Sequence, residues 1–424
     1  MRKARLWHRL LGVDRTVVEG VETDPAGQVV VAHVRPVARA RRRCGRCGTR
    51  SPWYDRGEGR RRWRGLDLGT TRVFLEADAP RVNCPRHGPT VVAVPWARHA
   101  AGHTRDFDDM VAWLAVACSK AAVTRLMRIA WRTVGAIISR VMADVDAVTD
   151  RLDGLARIGI DEISHRRGQQ YLTVVTCHDT GRLVWAAPGR NNATMHRFFD
   201  DLGPDRCRAL THVSADGAFW VSEVVPVRAP RAVLCADPFH VVKWANEALD
   251  DVRRAAWNTA RRQAGGSSRG RRGYRLSRGD AQTVKKARWA LWKNPDRLTA
   301  RQQSTVAWIA TNDPRLHRAY LLKEGLRYVF TLSGQDAIDA LDRWYGWTWR
   351  CRIPEMIALG RKIQRHRDTI EATLTHGVTN ALAESVNAKI RLITRRAFGF
   401  RNVHALIALA MLSLGGYRPD LPGR

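Results

Sequence analysis

Long apolar runs are missing from this 424-residue chain. No stretch approaches the roughly 18 apolar residues that a membrane-spanning helix needs. The first residues, MRKARLWHRLL, also lack the continuous apolar stretch of a signal peptide. These absences argue against a membrane-embedded or exported protein, and they predict a cytoplasmic one.

Acidic residues are scarce relative to basic ones. The chain has 40 Asp and Glu against 72 Lys and Arg, which gives a net charge of +32. This excess is larger than solubility requires, and it is spread along the chain among apolar residues, which favours several folded basic surfaces over a disordered tail. Nucleic acid is the expected partner, and the length allows roughly two to four domains.

Cysteine is too sparse for a disulfide scaffold, because only eight residues are scattered over the chain. One cluster is an exception. Cys44 and Cys47 form one chelating pair, and Cys84 and His87 form a second. Four such ligands suit tetrahedral Zn²⁺ and leave no position for water, so the predicted zinc is structural. Thiols buried as small apolar groups are the alternative.

Basic residues inside this cysteine-rich segment form the run Arg60-Arg-Arg-Trp-Arg64. Guanidinium groups in such a run can neutralise phosphates, so Arg60, Arg62 and Arg64 are predicted DNA contacts. A solvated loop without a ligand is the alternative.

A helical segment follows, and Ser119 to Arg140 has the pattern of a helix-turn-helix. Met127 to Ala130 is the expected turn. The second helix presents Arg132 and Ser139 or Arg140 at its front, where a recognition helix meets base edges. Its predicted buried back consists of Val134, Ile137 and Ile138. A plain helical hairpin is the alternative.

The middle of the chain changes to short β-branched and apolar runs, which indicate strands. Asp179-Thr-Gly181 is a hairpin turn signal between two of them, and residues 194–202 have a helical pattern. The order strand, hairpin, helix, strand, helix, strand is that of an RNase H-like mixed sheet. The predicted strands are residues 157–160, 170–177, 182–187, 210–215 and 231–235.

The chain after Phe239 is long, tryptophan-rich and helical. Gly265 to about Arg275 is predicted to be a loop, and helical periodicity resumes from about 280 to 373. The tryptophans expected to anchor a core or an interface are Trp289, Trp292, Trp308, Trp344, Trp347 and Trp349.

Three carboxylates carry the predicted chemistry. Asp161 and Asp216 are each expected at a strand end. Glu384 is expected on the polar face of a helix, together with Asn380 and Asn387, while Leu382, Val386 and Ile393 form the apolar face that docks on the sheet. Converging acids of this kind can hold two Mg²⁺ or Mn²⁺ ions, which activate the attacking oxygen and stabilise the leaving oxygen at phosphorus.

Neighbouring residues have less direct predicted roles. Asp237 ends a further strand, and with His240 it either orients the metal site or anchors the following helix. Thiol chemistry by Cys177 with His178 is rejected, because adjacent residues on a strand face opposite ways.

Taken together, these residues resemble the bacterial DDE transposases of the insertion sequence L-three (ISL3) group, over nearly the whole chain. The shared motifs are Cys44-x-x-Cys47, Cys84-Pro-Arg-His87-Gly88, Gly159-Ile-Asp161-Glu, Val213-Ser-Ala-Asp216, Asp237-Pro-Phe-His240-Val-Val-Lys243, Asn380-Ala-Leu-Ala-Glu384-Ser-Val-Asn387 and Arg395-Arg-Ala-Phe-Gly-Phe-Arg401-Asn402.

The resemblance implies an α/β multidomain protein whose RNase H-like catalytic core is interrupted by an all-helical insertion. It implies binding of terminal inverted repeats by the finger and the helix-turn-helix, action on target DNA, at least a dimer on paired ends, and a place on the bacterial nucleoid. Arg391 and Arg395 are further expected DNA contacts. The expected segments are 1–42 (strands and basic run), 43–98 (zinc finger), 99–150 (helix-turn-helix), 151–258 (core), 259–375 (insertion) and 376–424 (glutamate helix and tail).

Two rival functions stay open at this point. A nuclease or resolvase on the same fold cuts DNA without joining it. A transcription regulator uses the zinc and helix-turn-helix segments alone.

Overall fold

The computed structural model describes residues 2–166, 168–217, 219–265, 278–416 and 418–422. The chain divides into two compact units, the first made of Met1–Arg151 with Ile390–Arg424 and the second of Leu152–Lys389. Within the described ranges, no helix is both long enough and apolar enough to cross a bilayer.

The first unit begins with a helix and two small sheets. Helix α1 (Arg2–Leu11) was not predicted, whereas strands in the first 42 residues were, and they are confirmed. The sheets have the strand orders β1-β2-β5-β4 and β3-β6-β7. The strands are β1 (Thr16–Thr23), β2 (Val29–Pro36), β3 (Trp53–Asp55), β4 (Arg60–Arg64), β5 (Arg72–Asp78), β6 (Arg81–Cys84) and β7 (Gly88–Val91).

Strand β5 ties the N-terminal strands to the cysteine-rich segment. It pairs in parallel with β2 and antiparallel with β4, so one sheet crosses the segment boundary expected near residue 43. Val73, Leu75 and Ala77 alternate inward along β5 and are buried, and Leu75 and Ala77 belong to the same apolar core as Trp63 of β4.

Three helices follow in this unit: α2 (Arg105–Ala117), α3 (Lys120–Met127) and α4 (Trp131–Val148). The Ser119 side chain caps α3 by accepting a hydrogen bond from the amide of Ala122, and Arg128 ends α3 in the left-handed conformation. The predicted back of α4 is confirmed, because Val134, Ile137 and Ile138 are all buried.

A five-stranded mixed sheet organises the second unit, with the order β10-β9-β8-β11-β12. β8, β9 and β10 are antiparallel neighbours, whereas β11 runs parallel to both β8 and β12. All five predicted strands are confirmed. The elements are β8 (Arg157–Arg166), β9 (Gln170–Cys177), β10 (Leu183–Pro188), α5 (Asn192–Leu202), α6 (Pro204–Ala209), β11 (His212–Ala215), α7 (Phe219–Arg228) and β12 (Val233–Ala236).

The expected position of Asp161 at a strand end was wrong. β8 continues to Arg166, because β9 pairs with it along its whole length. Asp161 therefore lies in the middle of β8, opposite Val174 on its antiparallel side.

Helices form the long segment between β12 and the glutamate helix. Trp344 is buried there, and its indole nitrogen donates to the carbonyl of Leu322 at 2.7 Å. Trp289 and Trp349 are on the surface, and residues 266–275 of the predicted loop lie outside the described residues. The helices are α8 (Pro238–Gly265), α9 (Arg278–Lys286), α10 (Arg288–Trp292), α11 (Ala300–Asn312), α12 (Pro314–Val329), α13 (Gly334–Arg350), α14 (Pro354–Arg365) and α15 (Arg367–His376).

Two helices complete the chain. α16 (Ala381–Arg396) begins in the second unit and ends in the first, since the division falls after Lys389. α17 (Val403–Leu414) packs against α4 in the first unit.

Candidate metal centres

The four predicted zinc ligands lie together in the first unit. Cys84 is the last residue of β6 and His87 lies in the turn before β7, while Cys44 and Cys47 flank a tight turn. The Cys47 and Cys84 sulfurs are 3.6 Å apart, and His87 Nδ1 is 3.6 Å from the sulfurs of both Cys44 and Cys84. One ligand atom from each residue lies within 4.8 Å of the others.

These spacings fit a tetrahedral zinc ion. Zn–S bonds of about 2.3 Å at tetrahedral angles separate the ligand atoms by roughly 3.5–3.8 Å. Burial raises the pKa of the Cys84 thiol, but hydrogen bonds from the Arg86 backbone and from His87 outweigh it and lower that pKa to about 6. A thiolate, the form that binds zinc, is therefore favoured at neutral pH. The ligand set supports a structural zinc ion.

The sheet of the second unit aligns three aspartates across neighbouring parallel strands. The strand register pairs Gly159 of β8 with Ser214 of β11, and Ser214 with Cys235 of β12. Two residues farther along, each strand path reaches an acid, and these acids are Asp161, Asp216 and Asp237. The amide of Asp237 donates to the carbonyl of Ala215 at 3.0 Å, so the alignment continues past the end of β12.

Glu384 approaches this row from α16. Ligand atoms of Glu384, Asp237 and His240 lie within 4.8 Å of one another, a spacing at which one metal ion can be held. His240 Nδ1 is 2.7 Å from a carboxylate oxygen of Asp237, and Asp237 is buried. Asp237 Oδ1 also accepts from the amide of Phe239 at 3.3 Å, so Asp237 both anchors the start of α8 and lies beside Glu384.

Two asparagines fasten α16 to β8. The side-chain amide of Asn380 donates to the carbonyl of Ile160 at 3.0 Å, and that of Asn387 donates to Asp161 Oδ2 at 2.7 Å. The expectation that the apolar face of this helix docks on the sheet was wrong in part. Leu382 is 39% exposed, whereas both asparagines are buried, because their hydrogen bonds to β8 replace apolar packing.

A chain of hydrogen bonds fixes the start of α16. Because the Asn380 amide donates to a carbonyl, its Oδ1 must accept from the hydroxyl of Ser214, 2.9 Å away. Because the hydroxyl proton of Ser214 is donated to Asn380, the Ser214 oxygen accepts a hydrogen bond from His178 Nε2 at 2.8 Å. Gly159 makes room for this chain, since a Cβ there would lie 2.9 Å from Asn380 Oδ1. No pattern in the sequence predicted these roles of His178 and Ser214.

Crowding of the acids shifts their proton affinities. Burial, reinforced by the charge of Asp216, raises the pKa of Asp161 to about 6. Burial and Asp216 also raise the pKa of Glu162, the next residue on β8, to about 7. Burial lowers the pKa of His240, but Asp237, Asp216 and Asp161 outweigh it and raise that pKa. The cluster therefore favours bound cations, whether protons or metal ions.

Neutralising Asp161 is expected to stabilise the protein when Mg²⁺ is absent. The folded-state pKa of about 6 exceeds the ordinary value of 3.8, so ionised Asp161 lowers stability progressively as pH rises from about 4 to above 6. At pH 7.5, Asp161→Asn should relieve a penalty of about 2–3 kcal/mol and raise Tm by several degrees. Thermal unfolding of the zinc-loaded protein in buffer without free divalent ions tests this, and the difference should nearly disappear by pH 4. If the variant has the same Tm as the wild type at pH 7.5, the raised pKa of Asp161 is contradicted.

The burial of Arg64 in the β4 arginine run argues against its predicted role as a phosphate contact, whereas that role of Arg60 and Arg62 stays a prediction. Arg60 and Arg62 both bind Glu76, at 2.9 and 2.5 Å. Arg64 is buried and paired with Asp67. The Arg64 guanidinium is therefore buried and ion-paired within the protein, whereas the side chains of Arg60 and Arg62 are exposed to solvent.

The predicted base-reading residues of α4 differ in their exposure to solvent. Arg132 and Ser139 are exposed, as a recognition helix requires. Arg140 instead donates to the fully buried carboxylate of Asp108 at 2.9 Å, because that buried charge needs a partner. Arg391 and Arg395 are exposed on α16.

Comparison with known proteins defines the class. A family model described as "Transposase" matches residues 158–410, one for the helix-turn-helix domain of transposase family ISL3 matches 92–142, and one for the zinc-finger of transposase IS204/IS1001/IS1096/IS1165 matches 40–87. The chain belongs to the ISL3 family of transposases.

Two curated relatives extend this result over nearly the full length. The transposase for insertion sequence element IS1557 of Mycobacterium tuberculosis is 61% identical, and the match covers 100% of this chain and 98% of the relative. The transposase for IS1001 of Bordetella parapertussis is 26% identical, over 95% of this chain and 96% of the relative.

Proposed function

We propose that this transposase binds the terminal inverted repeats of its insertion sequence and cuts and joins DNA strands with divalent ions held by Asp161, Asp216 and Glu384. The observation that carries the proposal is the aligned row of aspartates with Glu384 fastened beside it. The order strand, hairpin, helix, strand, helix, strand supports an RNase H-like core.

The donor set fits Mg²⁺ or Mn²⁺, which prefer carboxylate oxygens. Two such ions, when bound, supply activation of the attacking oxygen and stabilisation of the leaving oxygen at phosphorus. Asp161 reaches this site with one carboxylate oxygen already bonded to Asn387, which fixes its orientation. Asn380 fixes the first turn of α16 and hence the approach of Glu384.

Asp237 and His240 belong to the same proposal as supporting residues. The bond between them orients the imidazole of His240 next to Glu384. The raised pKa of His240 favours the imidazolium, whose charge offsets the acids before metal ions bind.

DNA recognition in this proposal uses the helix-turn-helix, with Arg132 at the exposed start of α4, and the zinc finger. Arg60, Arg62, Arg391 and Arg395 remain available for phosphates. Two or more copies act on paired ends and a target duplex.

The test is incubation of the purified protein with labelled duplexes that carry the inverted repeats flanking its gene, with Mg²⁺ and a target plasmid. We expect cleavage at the repeat and joined products, and neither with Ca²⁺ in place of Mg²⁺. Cleavage without joining identifies a nuclease or resolvase. Binding without cleavage identifies a DNA-binding regulator, and either outcome overturns the proposal.

A further inference from the structure

A basic cleft lies in the first unit where three chain segments meet. Arg15 contributes from the turn before β1, Arg39, Ala40 and Arg43 from the segment after β2, and Ala93 to Pro95 complete its lining. Its volume is about 360 Å³. We infer that this cleft binds a phosphodiester group of the DNA backbone, separately from the helix-turn-helix. The inference rests on the proposed function only in taking DNA as the ligand.

Backbone hydrogen bonds hold the three segments together. The amide of Val37 donates to the carbonyl of Arg15 at 2.9 Å, and the amide of Ala93 donates to the carbonyl of Arg43 at 2.8 Å. The guanidinium of Arg43 also donates to the carbonyl of Gly48 at 3.1 Å. The cleft is therefore formed before a ligand arrives, which lowers the entropy cost of binding.

Arg15 occupies a conformation that its side chain does not favour. Its φ is +51°, in the left-handed region where glycine or asparagine is more stable than a long side chain. Backbone strain of this kind persists where the surrounding structure enforces it, and it concentrates at functional positions.

The three cleft arginines differ from Arg35, Arg81 and Arg105 of the same unit, which each have an acidic partner. Arg35 pairs with Glu19 at 2.7 Å, Arg105 pairs with Asp144 at 3.2 Å, and Arg81 pairs with Asp55. Among the described residues, no carboxylate lies within 4.0 Å of the guanidinium groups that line the cleft. Three neighbouring cations without counter-charges favour an anionic ligand.

The remaining lining favours a sugar–phosphate backbone over a free nucleotide. Guanidinium groups bind phosphate oxygens through paired N–H donors. Ala93, Val94 and Pro95 offer apolar contact suited to a deoxyribose, and the lining contains neither an aromatic ring to stack a base nor an acid to read one. Backbone contacts of this kind set position and affinity without reading sequence.

The test compares two triple variants of the full chain that lose the same charge. The first carries Arg15→Gln, Arg39→Gln and Arg43→Gln, and the matched control carries Arg35→Gln, Arg81→Gln and Arg105→Gln. Affinity is measured across a salt series, without Mg²⁺, for an inverted-repeat duplex and an unrelated duplex of equal length. For the cleft variant we expect the slope of log K against log salt to fall by about 0.9, because one phosphate is no longer neutralised. Both duplexes should lose affinity by the same factor.

Several outcomes overturn the inference. They are an equal loss in the control variant, a loss confined to the inverted-repeat duplex, or displacement of DNA by 1 mM inorganic phosphate at constant ionic strength, which would indicate a site for free anions. Arg15→Gly guards against misfolding, because glycine favours this backbone conformation: it should retain zinc and a Tm at least equal to that of the wild type while weakening the binding of both duplexes. DNA binding is measured here without cleavage. A wild-type protein that neither cuts nor joins DNA would therefore overturn the proposed function, while the binding comparison would still test this inference.

Discussion

Glu384→Gln is expected to reduce strand cleavage and joining by roughly ten-thousandfold, the size of effect seen when one member of a catalytic unit is removed. The carboxylate lies within 4.8 Å of ligand atoms of Asp237 and His240, and the neutral amide that replaces it cannot hold a divalent ion there. Asp216→Asn should behave alike. Gel assays of cleavage and joining with Mg²⁺ measure both steps.

Binding of the inverted-repeat duplex should survive these substitutions, since the predicted DNA contacts lie elsewhere. Glu223→Gln and Asp205→Asn make the same chemical changes at exposed positions outside the acid row and should retain wild-type rates. Cleavage by Glu384→Gln within tenfold of wild type removes this residue from the site.

Cys84→Ser is expected to release the zinc ion and unfold the three-stranded sheet of β3, β6 and β7. The apolar core of that sheet is very small, because among the described residues its buried members are Cys44, Val82 and Cys84. So few buried groups cannot fold such a module, whereas structural zinc contributes about 10–16 kcal/mol in isolated fingers.

Metal analysis should find one zinc per wild-type chain and none in the variant. Limited trypsin digestion should cut the variant faster within residues 39–62, where arginine is frequent. Cys118→Ser, a half-buried cysteine outside the cluster, is the control and should keep its zinc. Zinc retained in Cys84→Ser identifies a different ligand set.

Local patterns predicted the elements well, because strands and helices follow from the spacing of apolar residues. Five β-branched runs became β8 to β12, and the back of α4 was assigned correctly from Val134, Ile137 and Ile138. The acids Asp161 and Asp216 were recognisable as polar residues next to buried strands.

The sequence alone does not predict features that depend on contacts between segments far apart in the chain. The length of β8 depends on its register with β9, so Asp161 was assigned to an end instead of the middle. The buried face of α16 depends on the bonds of Asn380 and Asn387 to β8, which periodicity does not reveal. Arg140 was assigned to DNA because its partner Asp108 lies 32 residues away.

Manganese binding tests the central claim most directly, since Mn²⁺ replaces Mg²⁺ and is visible by electron paramagnetic resonance. The zinc-loaded wild-type protein with inverted-repeat duplex should bind two Mn²⁺ ions whose spectra are magnetically coupled. Glu384→Gln and Asp216→Asn should lose the coupling. Two uncoupled ions in the wild type, or coupling that survives both substitutions, would contradict a shared metal site built from these acids.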